Sequence, residues 1–231
     1  MAYSLSLFLP CFNEEPNVER TVRASVAALR EVTDDFEVIV VNDGSRDHTG
    51  EIAERLAAEN SHVRVCHHEQ NRGYGAALRT GFLAAQKELV CFMDADGQFD
   101  PREIRGLLSL ADQADIVTGF RLNRRDPFIR SVNAFLFNRL VRLLFGLKVM
   151  DLNCAFKLYH RRVVDAIAPQ LESTGAFINA EMLIRARKAG FSIVEVGVHH
   201  YPRVAGTQTG ANPRVILRAF RELGVLFWKL R

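Results

Sequence analysis

At 231 residues the chain is long enough to bury one sizeable core. Its 48% apolar and 25% charged content is that of a globular protein, which excludes a disordered or fibrous chain. No apolar run reaches the roughly 20 residues that cross a bilayer, and four scattered cysteines without a C-x-x-C pair argue against a zinc ribbon or a disulfide framework. The net charge of +3 conceals a division: residues 1–120 hold 11 Lys/Arg against 20 Asp/Glu, a net of −9, and residues 121–231 hold 19 against 7, a net of +12. The basic half suits an anionic partner, for which nucleic acid, a membrane surface and a phosphorylated substrate all qualify on charge.

The chain enters a strand at once, at residues 3–9, so no secretory leader is expected and a reduced, cytoplasmic setting is the expectation. Residues 17–31 carry the 3.6-residue apolar rhythm of an amphipathic helix (Val18, Val22, Val26, Leu29), and 36–41 is a β-branched run of the kind buried on both faces. A helix over 47–60, a strand over 63–67, a helix over 75–87, a buried strand over 89–93, a helix over 101–111 and a strand over 116–119 follow. This alternation predicts a mainly parallel sheet with helices on both faces, with ligands beyond the carboxyl ends of the strands. The second half reads as a long helix over 126–149, a strand over 155–159, a helix over 177–188, a strand over 192–198, a loop over 203–212 and an amphipathic helix over 213–230. One stripe of that last helix carries Ile216, Phe220, Leu223, Phe227 and Leu230.

The polar motifs fall at the predicted strand ends. Asp94-Ala95-Asp96-Gly97-Gln98 follows a buried strand with two carboxylates two residues apart. Such a pair is costly alone and favourable around a divalent cation, with Gln98 as a neutral oxygen ligand and positions left for diphosphate oxygens. A plain turn is the competing reading, since Asp and Gly favour turns. Val41-Asn42-Asp43-Gly44-Ser45 places Asp43 to accept hydrogen bonds from a base or ribose, or else to start an Asx turn that caps the next helix. In Pro10-Cys11-Phe12-Asn13-Glu14-Glu15, Phe12 is placed to lie against a base and Glu14 to hold base or ribose, and helix capping by Asn13 is compatible with both. Asn71-Arg72-Gly73-Tyr74-Gly75 lacks the spacing of a dinucleotide or P-loop cradle and reads as tight packing of helix on sheet. His67-His68 and His199-His200 read as ordinary surface or packing histidines.

Taken in order, these motifs resemble glycosyltransferase family 2, in particular its polyprenyl-phosphate glycosyltransferases related to dolichyl-phosphate mannose synthase. Gly119-Phe120-Arg121, Asp151-Leu152-Asn153-Cys154-Ala155-Phe156-Lys157, Glu181 and Arg203-Val204-Ala205-Gly206 extend the resemblance to about residue 210. It implies a GT-A α/β fold over 1–210, with 1–120 as the nucleotide-sugar and metal half and 121–210 as the acceptor half; the amphipathic helix over 211–231 that follows is suited by its own pattern to a membrane surface. It implies that Pro10, Phe12, Glu14, Val41 and Asp43 line the nucleoside pocket, and that Asp94, Ala95, Asp96 and Gln98 meet the diphosphate. Asp94, Asp96 and Gln98 would hold Mg²⁺ or Mn²⁺. Arg121 and Arg203 would grip phosphates, which suits guanidinium geometry, and Asp151 would stand near the reacting centre. Three departures stand out: Cys11-Phe12 for the commoner Thr/Ser-Tyr, Lys157 for an arginine, and Gly206-Thr207-Gln208-Thr209 where a lysine is usual.

The resemblance implies an inverting displacement from a UDP- or GDP-sugar to a lipid phosphate such as polyprenyl phosphate, at the inner face of the cell membrane. A phosphate acceptor is already ionised and needs no strong base, whereas a hydroxyl acceptor would need Asp151 or Glu181 to act as one. The basic, aromatic stretches 126–149 and 213–231 fit an interfacial role. Self-association is left open. A nucleic-acid-binding protein would leave the acidic segment unexplained, and a sugar-nucleotide pyrophosphorylase would need a glycine-rich loop where Pro10-Cys11-Phe12-Asn13 stands.

Overall fold

A computed structural model describes residues 3–122, 128–203 and 213–230. The chain alternates β1 (Leu5–Cys11), α1 (Glu15–Arg30), β2 (Phe36–Asn42), α2 (Thr49–Glu59), β3 (Val63–His67), α3 (Tyr74–Ala84) and β4 (Leu89–Met93). After a 3₁₀ turn at Pro101–Glu103 come α4 (Ile104–Leu108), a second 3₁₀ turn, β5 (Ile116–Leu122), α5 (Phe128–Phe145) and β6 (Phe156–His160). The chain then runs through α6 (Arg161–Ile167), a third 3₁₀ turn, α7 (Ile178–Lys188), β7 (Ile193–His199) and α8 (Pro213–Lys229). The predicted loop over 203–212 lies outside the described residues apart from Arg203, and so does the start of the predicted helix at 126.

Seven strands form one sheet in the order β3-β2-β1-β4-β6-β5-β7. All neighbours are parallel except β6, which runs against both β4 and β5. The apolar runs of β1, β2 and β4 are wholly buried, as helices covering both faces require. The two expected halves share this sheet, because β6 of the second half lies between β4 and β5 of the first. That reversal has a consequence for function. Since Met93 is the register partner of Phe156, the turn leading into β6 lies beyond the carboxyl end of β4.

Beneath the sheet centre Phe8, Phe82, Phe92 and Tyr159 form an aromatic cluster, with Phe8 4.9 Å edge-on to Phe82 and 5.5 Å stacked on Phe92. Helix α3 approaches that cluster closely only because Gly81 has no side chain; a β-carbon there would strike the Phe8 ring. Helix α8 turns Leu223 and Leu226 into the core, and its Phe220 and Phe227 meet Phe137 and Phe145 of α5. Of the expected stripe, Leu223 is buried and Phe220 and Phe227 lie against α5, and among the described residues of α8 the exposed large apolar ones are Leu217, Phe220, Val225 and Trp228.

Helix propensity alone favours Ala over Gly at an interior position by about 1 kcal/mol, but overpacking a filled core costs about 1–3 kcal/mol. Gly81→Ala should lower unfolding stability measured in denaturant with an unchanged m value, and a stabilised variant would contradict this close approach.

Candidate active site

The carboxyl ends of the parallel strands and the turn into β6 converge on one edge. Asp94 and Asp96 leave β4 there, and Gly97 makes the turn with φ 74°. Thr21 of α1 donates to the Ala95 carbonyl at 3.0 Å. Asp96 Oδ1 accepts the Gln98 backbone N–H at 3.0 Å, while the Gln98 side-chain amide donates to the Tyr201 carbonyl at 3.0 Å, and Tyr201 N–H returns to the Gln98 carbonyl at 2.8 Å. The stretch after β7 is thereby sewn to the loop after β4. This brings Arg203 to the site: it pairs with Glu14 from the end of β1 and stands 3.7 Å from Asp96. On the other side Arg121, near the end of β5, holds Asp151 in a two-pronged pair, Nε to Oδ2 at 2.6 Å and Nη2 to Oδ1 at 2.9 Å.

These groups share one electrostatic neighbourhood. Burial, followed by the charge of Asp96, pushes the Asp94 carboxyl up to about 7, while Arg121 pulls it down. Asp96 is raised too, by burial first, with Arg203 opposing. Two carboxylates held together at a poorly hydrated strand end are what a divalent cation relieves. Among the described residues no three His, Cys, Asp or Glu side chains gather as a metal cluster, and the acidic groups at this strand end are the pair Asp94 and Asp96. Below the site, Lys157 is fully buried and donates to the Leu152 and Cys154 carbonyls, fixing the turn that carries Asp151. Burial lowers its pKa.

The structure separates the expected nucleoside residues. Phe12 is 43% exposed and Glu14 faces Arg203, so both border the crevice. Val41 has no accessible surface, and Pro10 and Ala95 are buried, so none of the three exposes its side chain to the crevice. Asp43 is 2% exposed and already occupied: His68 Nδ1 at 2.6 Å and Arg72 N–H at 2.9 Å meet Oδ1, while Gly73 N–H at 2.9 Å and the Asn71 amide at 3.0 Å reach Oδ2. A carboxylate offers about four acceptor sites, so Asp43 is spent on pinning the 71–73 loop, and a nucleoside contact would have to displace one of these donors. His68, read from sequence as ordinary, is buried between Asp43 and Thr80. Glu181 is likewise consumed, accepting from Ser173 N–H at 2.9 Å and Arg185 at 2.8 Å.

Tyr74 is the residue that sequence reasoning passed over, since its motif read as helix-on-sheet packing. Gly75 in fact abuts the backbone of Ser173 and Thr174, and the Tyr74 hydroxyl donates to Asp94 Oδ1 at 2.9 Å. A lone tyrosine at a helix start gives no sequence signal for such a contact. The groove of about 560 Å³ between α1 and α2, lined by Arg23, Leu56, His62 and Val63, lies toward the opposite edge, where β3 begins.

Comparison with known proteins places this geometry. Residues 6–168 match the family described as Glycosyl transferase family 2. Glycosyltransferase AglD of Haloferax volcanii is 36% identical over 207 residues, 86% of this chain and 33% of that protein, so the chain spans about a third of that relative's length. Glucosyl-3-phosphoglycerate synthase from Mycobacterium tuberculosis, solved with phosphoglyceric acid, superposes with a TM-score of 0.75 at 22% identity, covering 96% of this chain and 80% of that one. The same enzyme solved with Mn²⁺, UDP and glucosyl-3-phosphoglycerate gives 0.70 at 22% identity, over 97% and 76% of the two chains. Its Mg²⁺ and UDP complex gives 0.72 at 21% identity, over 95% and 79%. The solved structures share the GT-A fold, and by the family match the chain belongs to glycosyl transferase family 2.

Proposed function

We propose that the chain transfers a sugar, with inversion, from a UDP- or GDP-sugar to a lipid phosphate such as polyprenyl phosphate, and that it needs Mg²⁺ or Mn²⁺. The observation that carries this reading is the meeting of Asp94 and Asp96 with Arg121 and Arg203 at one sheet edge. The solved relatives form complexes with UDP and Mn²⁺ or Mg²⁺, which supports a metal-binding use of the acidic pair here. A cation held by Asp94, Asp96 and Gln98 would neutralise the diphosphate as it leaves. Arg203 would exchange Glu14 for a phosphate oxygen, and Arg121, braced by Asp151, would set its positive charge against phosphate. Phe12 would offer its exposed face to the base.

The acceptor follows from what the carboxylates are doing. Both candidate bases, Asp151 and Glu181, are buried and tied to arginines, so neither is disposed to take a proton from a hydroxyl. An acceptor that arrives as a phosphate oxyanion needs no such base. Leu217 and Trp228 of α8 are 73% and 72% exposed, beside exposed Arg221 and Lys229, and Leu143 of α5 is exposed next to Arg142. Apolar and basic groups mixed in this way suit the surface of an anionic membrane, to which the chain would attach peripherally on the cytoplasmic face. No described helix is long and apolar enough to cross a membrane.

One preparation tests the reading. With Mn²⁺ and a panel of UDP- and GDP-sugars, the wild type should glycosylate polyprenyl phosphate in anionic vesicles, and Asp96→Ala should lose transfer while keeping its melting temperature. Leu217→Glu with Trp228→Glu should lower vesicle binding at low salt and leave nucleotide affinity alone. Transfer to phosphoglycerate or a glycan hydroxyl in place of the lipid would overturn the acceptor assignment.

Acidity gives a second check. A bound cation competes with the proton that Asp94 keeps up to about 7. Affinity for Mn²⁺ should therefore fall about tenfold per pH unit below that value and level off above it. In the metal-free protein the sign is opposite: the folded state favours protonated Asp94, so stability falls as pH rises from the ordinary carboxylate range toward about 7. Calorimetric Mn²⁺ affinity that is constant across this window would contradict the assignment of Asp94 as a ligand.

A further inference from the structure

We propose that Tyr74, backed by Asn179, is a positioning residue that fixes the Asp94 carboxylate for cation binding. This inference rests on the metal reading of Asp94 and Asp96. Tyr74 is the first residue of α3, and its hydroxyl donates to Asp94 Oδ1 at 2.9 Å. One carboxylate oxygen is thus committed to the tyrosine, and the other is left for the cation. Ligand carboxylates in metal sites are commonly oriented by such outer contacts.

The tyrosine is itself held from three directions. Gly73, at φ 95°, donates its N–H to Asp43 Oδ2 at 2.9 Å, which anchors the residue before it. Gly75 donates to the Thr174 carbonyl at 2.9 Å, and any β-carbon at Gly75 would collide with the Ser173 and Thr174 backbone, which anchors the residue after it. Asn179, in the first turn of α7, faces the Tyr74 hydroxyl. Asn179 is 4% exposed, and among the described residues its Oδ1 has no partner. A buried amide with an unpaired oxygen is a poor choice for packing alone, and its place beside the Tyr74 hydroxyl gives a reason for an amide there. The series Asn179, Tyr74, Asp94 therefore links α7 and α3 to the end of β4. Asp43, displaced above from the nucleoside pocket, acquires a role as the anchor of this arm.

The test is Mn²⁺ binding followed by electron paramagnetic resonance, without turnover, on wild type, Tyr74→Phe and Asn179→Ala. Tyr74→Phe keeps the ring and removes only the hydroxyl. It should weaken Mn²⁺ binding by about 10-fold or more, with Asn179→Ala shifted in the same direction by less. The melting temperature and the metal-free affinity for uridine or guanosine should stay at wild-type values. Wild-type Mn²⁺ affinity in Tyr74→Phe overturns the positioning role and leaves the proposed chemistry standing. A loss of stability and nucleoside binding together with metal binding also overturns it, because that is general loosening of α3. No Mn²⁺ binding by the wild type overturns the metal reading and this inference with it.

Discussion

Two carboxylates held two residues apart at the end of a strand with no solvent access impose the condition that the rest of the crevice meets. Burial raises the cost of ionising both, the charge of Asp96 adds to it at Asp94, and that of Glu14 adds to it at Asp96. The surrounding elements supply what offsets this charge: Arg203 against Asp96, Arg121 close to Asp94, and the Tyr74 hydroxyl on Asp94 itself. None of these is near the pair in sequence. The sheet brings them in, because β1, β4, β5 and β7 end at one edge, and the antiparallel β6 begins there.

The charge division along the chain has a structural counterpart. The acidic first half contributes Glu14, Asp94 and Asp96, and the basic second half contributes Arg121 and Arg203, so the crevice is where the two meet. Lys157 extends the pattern below the surface. Its ammonium is buried under the turn of Asp151, where a longer, forked arginine would need more acceptors than the Leu152 and Cys154 carbonyls supply.

Elements with a strong period were legible in the sequence. The β-branched run of β2 and the Leu89–Met93 strand appear at the expected positions; the strand-end motifs led to Asp94, Asp96 and Glu14, the family resemblance added Arg121 and Arg203, and the fold does bring these together. Three features were not legible, each for a physical reason. Helix α6, seven residues from Arg161, is too short to show a helical period. The reversed direction of β6 depends on pairing with distant strands, which local pattern does not encode. Asp43 and Val41 looked like pocket residues because they end a strand, but burial is decided by what covers them: the 71–73 loop folds over Asp43, and β1 and β3 flank Val41.

The central claim is that Asp94 and Asp96 hold a divalent cation against a nucleoside diphosphate, and anomalous diffraction measures this most directly. Crystals grown with Mn²⁺ and UDP or GDP should give one strong manganese peak coordinated by both carboxylates, with the diphosphate beside Arg203 and the base against Phe12. A manganese peak away from the β4 end, or a nucleotide seated in the groove between α1 and α2, would contradict the account.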